Sequence, residues 1–158
     1  MATIGSLLGK WRPSDEAPND HARAVPPRDA AGAPRKRVLI VDDNETVLDV
    51  LDEFLNPAYT VDLAANASVA LQRLATNPAD LIMLDVNMPG TDGLTLLDSI
   101  RGLGVTAPIF VITGYDSPAI ARRATQSGAT AYLVKPVDLR TLDGLIAKAL
   151  DVRPLLGN

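Results

Sequence analysis

From residue 37 onward, short apolar runs alternate five times with amphipathic stretches, and this alternation limits the fold more than any other feature of the sequence. Apolar runs rich in β-branched residues are typical of buried strands, whereas apolar residues spaced three and four apart are typical of helices. Strands that are apolar throughout indicate a parallel sheet covered on both faces. With right-handed crossovers, the natural topology at this size is a doubly wound, open α/β sheet. The strands are predicted over 38–41, 59–63, 80–84, 108–112 and 130–134.

Each predicted helix carries its own sequence signals. The first two are predicted over 44–55 and 67–75, and the third contains Leu94, Leu97 and Ile100. Ser117-Pro118 is typical of an N-cap followed by proline at the first helical position, and Gly128 is the expected glycine after that helix. The last helix is predicted to begin after Asp138 as N-cap and to extend to Leu150.

The remaining segments are predicted to lie outside the folded domain. Residues 12–36 are rich in Pro, Ala, Asp and Arg without apolar periodicity, which is typical of disorder. Residues 4–11 place apolar side chains on one face of a short helix, either a docking element or a frayed terminus. We therefore predict a tail over 1–36, a folded domain over 37–151 and a C-terminal tail over 152–158. No effector domain is expected after the last helix.

Composition excludes several classes of protein. The chain has no cysteine and one histidine, His21, so disulfide scaffolds, thiolate zinc sites and most Ser-His-Asp chemistry are excluded. No apolar run is long enough to cross a bilayer, and no secretory signal is present, so a soluble cytoplasmic protein without membrane partners is expected. Residues 38–158 carry eight basic and fifteen acidic residues, a balance that does not favour direct DNA binding.

Polar residues stand where four of the predicted strands end. Asp42 and Asp43 follow the first strand, Asp85 the third and Thr113 the fourth, and Lys135-Pro136 follows the fifth. Ligands of open α/β sheets bind outside the carboxyl ends of the strands, so these side chains are expected to converge. Taken singly, each residue also has an ordinary structural explanation as a helix start, a turn or a strand exit. These separate structural explanations do not account well for all of the polar residues standing together at one edge of the sheet.

Three converging carboxylates would repel one another, and a divalent cation removes that repulsion. Oxygen ligands select Mg²⁺, with Mn²⁺ as the alternative. Lys135 can neutralise remaining negative charge, and the hydroxyl of Thr113 can donate to an anion. The set therefore suits a carboxylate that accepts a phosphoryl group.

Four blocks of the sequence carry a resemblance to a known family. VDDNE, LDVNMPGTDG, VITG and YLVKP occur in this order, and the chain from residue 37 to about 150 resembles the receiver domain of bacterial two-component response regulators, as in a stand-alone CheY-like protein. The resemblance implies the flavodoxin-like strand order 2-1-3-4-5. It also implies that Asp85 is phosphorylated by a sensor histidine kinase and binds Mg²⁺ together with Asp43 and the backbone carbonyl of Asn87. Asp42 would act mainly through water.

The same resemblance implies roles for the other site residues. Lys135 would pair with Asp85 and later with the phosphoryl group, and the Lys135–Pro136 peptide would be cis. Thr113 would be the switch hydroxyl, and Tyr132 the aromatic residue that turns inward as Thr113 moves. Asn87 and Tyr115, two residues beyond the acceptor and the switch hydroxyl, would tune the phosphoryl lifetime.

Several functions stay open at this point. The first is a signalling switch that binds a target protein and catalyses only its own phosphorylation and slow autodephosphorylation. The second is a phosphorelay shuttle or phosphate sink that works with a histidine phosphotransfer protein. The third is a phosphohydrolase of the haloacid-dehalogenase type, for which Asn44 in VDDNET stands where a second aspartate is required. An inert scaffold is the fourth. The family also allows a homodimer through the fourth and fifth helices, where Arg122, Arg123 and Asp143 lie.

Overall fold

The computed structural model describes residues 28–157, and a five-stranded parallel sheet lies at its centre. The strand order β2-β1-β3-β4-β5 is the flavodoxin-like order, so the predicted fold class is confirmed. β1 lies inside the sheet, β2 forms one edge, and β3 lies on the other side of β1. The carboxyl ends of β1 and β3 are therefore neighbours. The strands are β1 Arg37–Val41, β2 Thr60–Ala64, β3 Leu81–Asp85, β4 Ile109–Thr113 and β5 Ala131–Val134.

Five helices connect and follow these strands, and each begins at a polar N-cap side chain that accepts a backbone N–H. The predicted caps Ser117 and Asp138 are confirmed, and Gly128 has a φ of +93° after the fourth helix, as expected for its position. Asn44, predicted as the first helical residue, is instead the cap of the first helix. The helices are α1 Glu45–Leu55, α2 Ala67–Thr76, α3 Gly93–Gly102, α4 Pro118–Gln126 and α5 Leu139–Leu150.

Three strands, β2, β3 and β4, begin and end one residue later than predicted. Asp85 pairs with Ile112 and Thr113 pairs with Val134, so these two polar residues are the last residues of β3 and β4 rather than the first residues after them. β2 is displaced by one residue, because the backbone N–H of Tyr59 bonds to Leu55 O at the end of α1. Hydrogen bonding between neighbouring backbones, which apolar patterning does not report, sets these boundaries.

Alternate residues of the strands enter two separate cores. Leu39 and Val41 of β1 face a cluster formed with α2, α3 and α4, whereas Val38 and Ile40 face a cluster formed with α1 and α5. All four side chains are almost completely buried. Burial on both faces explains why these strands read as continuous apolar runs.

Residues 28–34 belong to a unit distinct from residues 35–158 and form a turn. Asp29 Oδ1 accepts the backbone N–H groups of Ala31 and Ala33, and Arg28 pairs with Pro34 in an isolated bridge. The sequence predicted disorder here, and composition gave no sign of this local turn. The predicted amphipathic helix over residues 4–11 lies outside the described residues, as does most of the predicted tail.

The segment after α5 returns along the domain instead of leaving it. Asp151 adopts a left-handed conformation, with φ of 52°, and reverses the chain. The buried carboxylate of Asp143 in α5 then accepts the N–H groups of Leu155 and Leu156, each at 2.8 Å. The carboxylate of Asp143 therefore lies inside the domain and is not available at the surface of α5 for a contact with a second copy. Among residues 28–157, no helix is long and apolar enough to cross a membrane.

Candidate functional site

Three carboxylates converge at the carboxyl ends of β1 and β3. One oxygen each of Asp42, Asp43 and Asp85 lies within 4.8 Å of the others. Asp42 and Asp85 are each 3% exposed, whereas Asp43 is exposed to solvent. The strand order brings the two buried residues together, because β1 and β3 are neighbours in the sheet. The predicted acidic cluster is therefore formed in the structure.

Lys135 lies between the two buried carboxylates. Its Nζ is 2.8 Å from Asp42 Oδ2 and 3.4 Å from Asp85 Oδ2. The resemblance implied a pairing with Asp85. In the structure the Lys135 ammonium is shared by Asp42 and Asp85 and lies closer to Asp42. Lys135 is followed by a cis peptide bond to Pro136. Although burial acts to lower the pKa of Lys135, the two carboxylates outweigh it, and the pKa lies above its ordinary value.

Backbone N–H groups orient the other oxygen of each buried carboxylate. Asn44 N donates to Asp42 Oδ1 at 2.8 Å, and Asn87 N donates to Asp85 Oδ1 at 2.9 Å. Each side chain is thus held from two sides, by a turn of its own loop and by Lys135. A fixed carboxylate in this position is suited to act as a nucleophile or as a metal ligand.

The pKa of Asp85 is raised above its ordinary value, first by burial and then by the neighbouring charge of Asp42. The N–H of Asn87 and the ammonium of Lys135 act in the opposite direction and offset part of this rise. The ammonium of Lys135 therefore does not offset the combined effect of burial and of the charge of Asp42 on the pKa of Asp85. Three carboxylates with one ammonium beside two of them also offer oxygen donors that suit a hard divalent cation.

The hydroxyl of Thr113 is completely buried and bonds to Asn87 across the gap between β4 and the loop after β3. Thr113 Oγ1 lies 2.5 Å from Asn87 Oδ1. Asn87 Oδ1 also accepts the N–H of Gly114, at 3.2 Å. The N–H of Tyr115 donates to Thr113 Oγ1 at 3.1 Å. Sequence reasoning assigned Asn87 a backbone carbonyl for the metal and an effect on the phosphoryl lifetime, and it missed this side-chain bond to Thr113. The strand order could have indicated it, because β3 and β4 are neighbours.

Tyr132 connects this hydrogen-bonded group to the loop before α4. Its hydroxyl donates to Tyr115 O at 2.9 Å and accepts the N–H of Ser117 at 3.4 Å, while the ring packs against the core beneath α4. The side chain of Tyr115 itself is 69% exposed. Tyr132 and Thr113 therefore both contact the backbone of Tyr115.

An apolar groove of about 600 Å³ opens beside Lys135, between α1 and the segment 135–139. Val47, Val50 and Leu51 line one wall, and Pro136, Val137 and Leu139 line the other. Val50 is 48% exposed there, so the groove is accessible from solvent. The predicted site residues thus lie at one end of the domain, next to an apolar surface that the sequence did not reveal.

Comparison with known proteins gives a consistent result. A family model described as the response regulator receiver domain matches residues 38–147. The response regulator MprA of Mycobacterium tuberculosis is 38% identical over 107 residues, which are 67% of this chain and 46% of that protein. The chain spans about a quarter to a half of the length of the curated relatives it matches.

Solved structures agree with the match. A CheY-like response regulator receiver domain protein from Methanospirillum hungatei has 33% identity and a TM-score of 0.71, with coverage of 74% of this chain and 94% of that one. A response regulator protein from Burkholderia pseudomallei, whose crystal structure contains a phosphorylated aspartic acid and a calcium ion, has 34% identity and a TM-score of 0.65. The match covers 73% of this chain and 66% of the Burkholderia chain.

Proposed function

This chain belongs to the response regulator receiver domain family, and on that premise we propose that Asp85 accepts a phosphoryl group from a phosphohistidine of a sensor histidine kinase. The observation that carries this proposal is the placement of Asp85 at the end of β3, with Lys135 Nζ at 3.4 Å and the other carboxylates within 4.8 Å. The phosphorylated aspartic acid of the Burkholderia relative supports it.

A Mg²⁺ ion fits the donor set of this site. Asp42, Asp43 and Asp85 offer oxygen atoms only, and one oxygen of each lies within 4.8 Å of the others, close enough to share one cation. Asp43, Asp85 and the backbone carbonyl of Asn87 would hold the ion, with Asp42 acting through water, and Mn²⁺ is the alternative. When bound, the ion would neutralise charge on the transferring oxygens.

The phosphoryl group is expected to act on Thr113, Tyr132 and Lys135. Lys135 would move its ammonium from the carboxylates to the phosphoryl oxygens, and Thr113 would donate its hydroxyl hydrogen to them. Tyr132, which bonds to the backbone of Tyr115, would then follow as that loop changes position. Asn87 and Tyr115 would also affect how long the phosphoryl group survives. These shifts would change the surface of α4, β5 and α5.

The output of this switch is a change in the binding of a partner protein, without direct contact to DNA. A homodimer through α4 and α5 would be one such change, formed without the buried Asp143. A phosphorelay, in which Asp85 passes its phosphoryl group to a histidine phosphotransfer protein, is the second candidate and uses the same site. The cytoplasmic location and the absence of any enzymatic activity beyond self-phosphorylation and slow autodephosphorylation remain predictions from the sequence.

Intact mass after incubation with Mg²⁺ and acetyl phosphate tests the acceptor. We expect one phosphoryl adduct on the wild type and none on Asp85→Asn. A folded wild-type protein that gains no adduct from acetyl phosphate or from a phosphorylated histidine kinase would contradict the proposal and favour an inert scaffold. Sustained turnover of a small phosphomonoester would favour the phosphohydrolase instead.

A further inference from the structure

We propose that the side-chain amide oxygen of Asn87 competes with the phosphoryl group for the hydroxyl hydrogen of Thr113, and so sets how readily the switch leaves its resting state. This inference rests on the proposed function of Asp85. It adds a positioning residue to the switch, because Asn87 acts here through its side chain and not through the backbone groups that contact Asp85 or a metal. It concerns an equilibrium between two hydrogen bonds and not the lifetime of the phosphoryl group.

The orientation of the Asn87 amide follows from its two partners. Gly114 N can only donate, and it lies 3.2 Å from the Asn87 side-chain atom, so that atom is the amide oxygen and not the nitrogen. Thr113 Oγ1, at 2.5 Å from the same oxygen, must then be a donor as well. The orientation is fixed by chemistry, since a backbone N–H has no lone pair to offer to an amide nitrogen.

The Thr113 hydroxyl has one hydrogen, and Asn87 holds it. A second acceptor, Tyr115 O, lies farther away at 3.3 Å, and one lone pair of the hydroxyl accepts the N–H of Tyr115. Thr113 is completely buried, so water does not replace any of these partners. To donate to a phosphoryl oxygen, Thr113 must therefore give up its bond to Asn87.

Exposure of Asn87 keeps the cost of this exchange small. Asn87 is exposed, and its amide oxygen keeps the hydrogen bond from Gly114 N–H when the bond from the Thr113 hydroxyl is broken. Water can then satisfy the remaining lone pair, so no buried polar group is left without a partner. The bond is thus strong enough to hold Thr113 in the resting state and is released without a large penalty.

The test measures the affinity of the 158-residue chain for beryllium fluoride, a phosphoryl analogue, in the presence of Mg²⁺. Asn87→Ala keeps the backbone N–H and carbonyl but removes the competing oxygen. We expect it to bind beryllium fluoride about two- to tenfold more tightly than the wild type, the range that one net hydrogen bond covers. Asn66→Ala, which removes the amide side chain that caps α2, is the matched control and should leave the affinity unchanged.

A double-mutant cycle separates competition from a general effect on the loop. In a Thr113→Val background the hydroxyl is absent, so Asn87→Ala should no longer increase the affinity. A gain of the same size in that background would overturn the proposal, and so would an Asn87→Ala variant that binds no more tightly than the wild type. If the wild type does not bind beryllium fluoride at all, the proposed phospho-acceptor function is wrong and the competition is wrong with it.

Amide resonances of the protein without Mg²⁺ or beryllium fluoride test the resting hydrogen bond separately. In Asn87→Ala, the freed Thr113 hydroxyl should change the resonances of Tyr115 and Ser117, because Tyr115 N–H donates to that hydroxyl and Ser117 N–H donates to Tyr132, which in turn contacts Tyr115 O. Unchanged resonances at both residues would show that Asn87 does not hold Thr113, whatever the phosphorylation assay gives.

Discussion

The carboxylates of Asp85 and Asp143 are almost equally buried, at 3% and 2% exposure, but they have different partners. Both oxygens of Asp143 accept backbone N–H groups at 2.8 Å. Asp85 has one such bond and shares the ammonium of Lys135 with Asp42. A buried carboxylate that is fully bonded to the backbone stabilises a fold, whereas one that depends on a shared, movable cation is ready to exchange partners.

The largest expected effect is the loss of phosphorylation in Asp85→Asn, because an amide cannot form the acyl phosphate. Asp143→Asn, which keeps a side-chain oxygen for one of its two N–H partners, should still gain the adduct. Intact mass with acetyl phosphate and Mg²⁺ compares the two variants directly. An adduct on Asp85→Asn equal to that of the wild type would place the acceptor elsewhere and remove the distinction between the two carboxylates.

Asp143→Ala should lower the free energy of unfolding by about 2–3 kcal/mol, since two backbone N–H groups lose their acceptor. Urea or thermal unfolding gives the value. Asp98→Ala is the control, because Asp98 is half exposed and lies 3.7 Å from Arg123, and its loss should change stability by no more than about 0.5 kcal/mol. Equal losses in the two variants would mean that the segment after α5 contributes no stability through Asp143.

Mg²⁺ should stabilise the wild type by about 1.4 kcal/mol at ten times its dissociation constant, by linkage between binding and folding. Asp143→Asn should show the same increase, whereas Asp85→Asn should show much less of it. Melting curves with and without Mg²⁺ supply the comparison. A wild-type melting temperature that does not change on adding Mg²⁺ would count against the metal site.

The smallest effect concerns acid pH in the absence of Mg²⁺. The pKa of Asp85 is raised by burial and by Asp42, so the folded protein keeps this proton at a pH where the unfolded chain has lost it. The contribution of Asp85 to stability should therefore decrease as the pH rises from the ordinary aspartate pKa through the raised one. The difference in unfolding free energy between wild type and Asp85→Asn, followed across this range, should have this slope. The opposite slope would mean that Lys135 outweighs burial.

Much of the site could be predicted from the sequence, because parallel strands all end at the same edge of their sheet. The positions of Asp42, Asp43, Asp85, Thr113 and Lys135 follow from where four of the strands end, because each residue ends its strand or comes just after it. The Asn87–Thr113 bond could not be predicted in the same way. It requires knowing which two strand ends are neighbours and which atom of the amide faces the gap.

Asp143 shows the limit of patterning most clearly. It occupies a buried position in α5, although a charged residue there normally indicates a surface. The reason lies twelve residues later, where the chain reverses at Asp151 and brings the N–H groups of Leu155 and Leu156 to the carboxylate. Nothing local to Asp143 signals this contact.

The sequence by itself determined the order of strands and helices, the caps that begin α4 and α5, and the set of side chains at the carboxyl edge of the sheet. These features depend on near neighbours along the chain and on the shared direction of parallel strands. Only the tertiary structure decided that Lys135 lies between Asp42 and Asp85, that Asn87 holds the Thr113 hydroxyl, and that Asp143 fixes the returning chain. Those contacts join residues from 12 to 93 positions apart. Local sequence patterns do not reveal such pairs, because the residues become neighbours only when the chain folds.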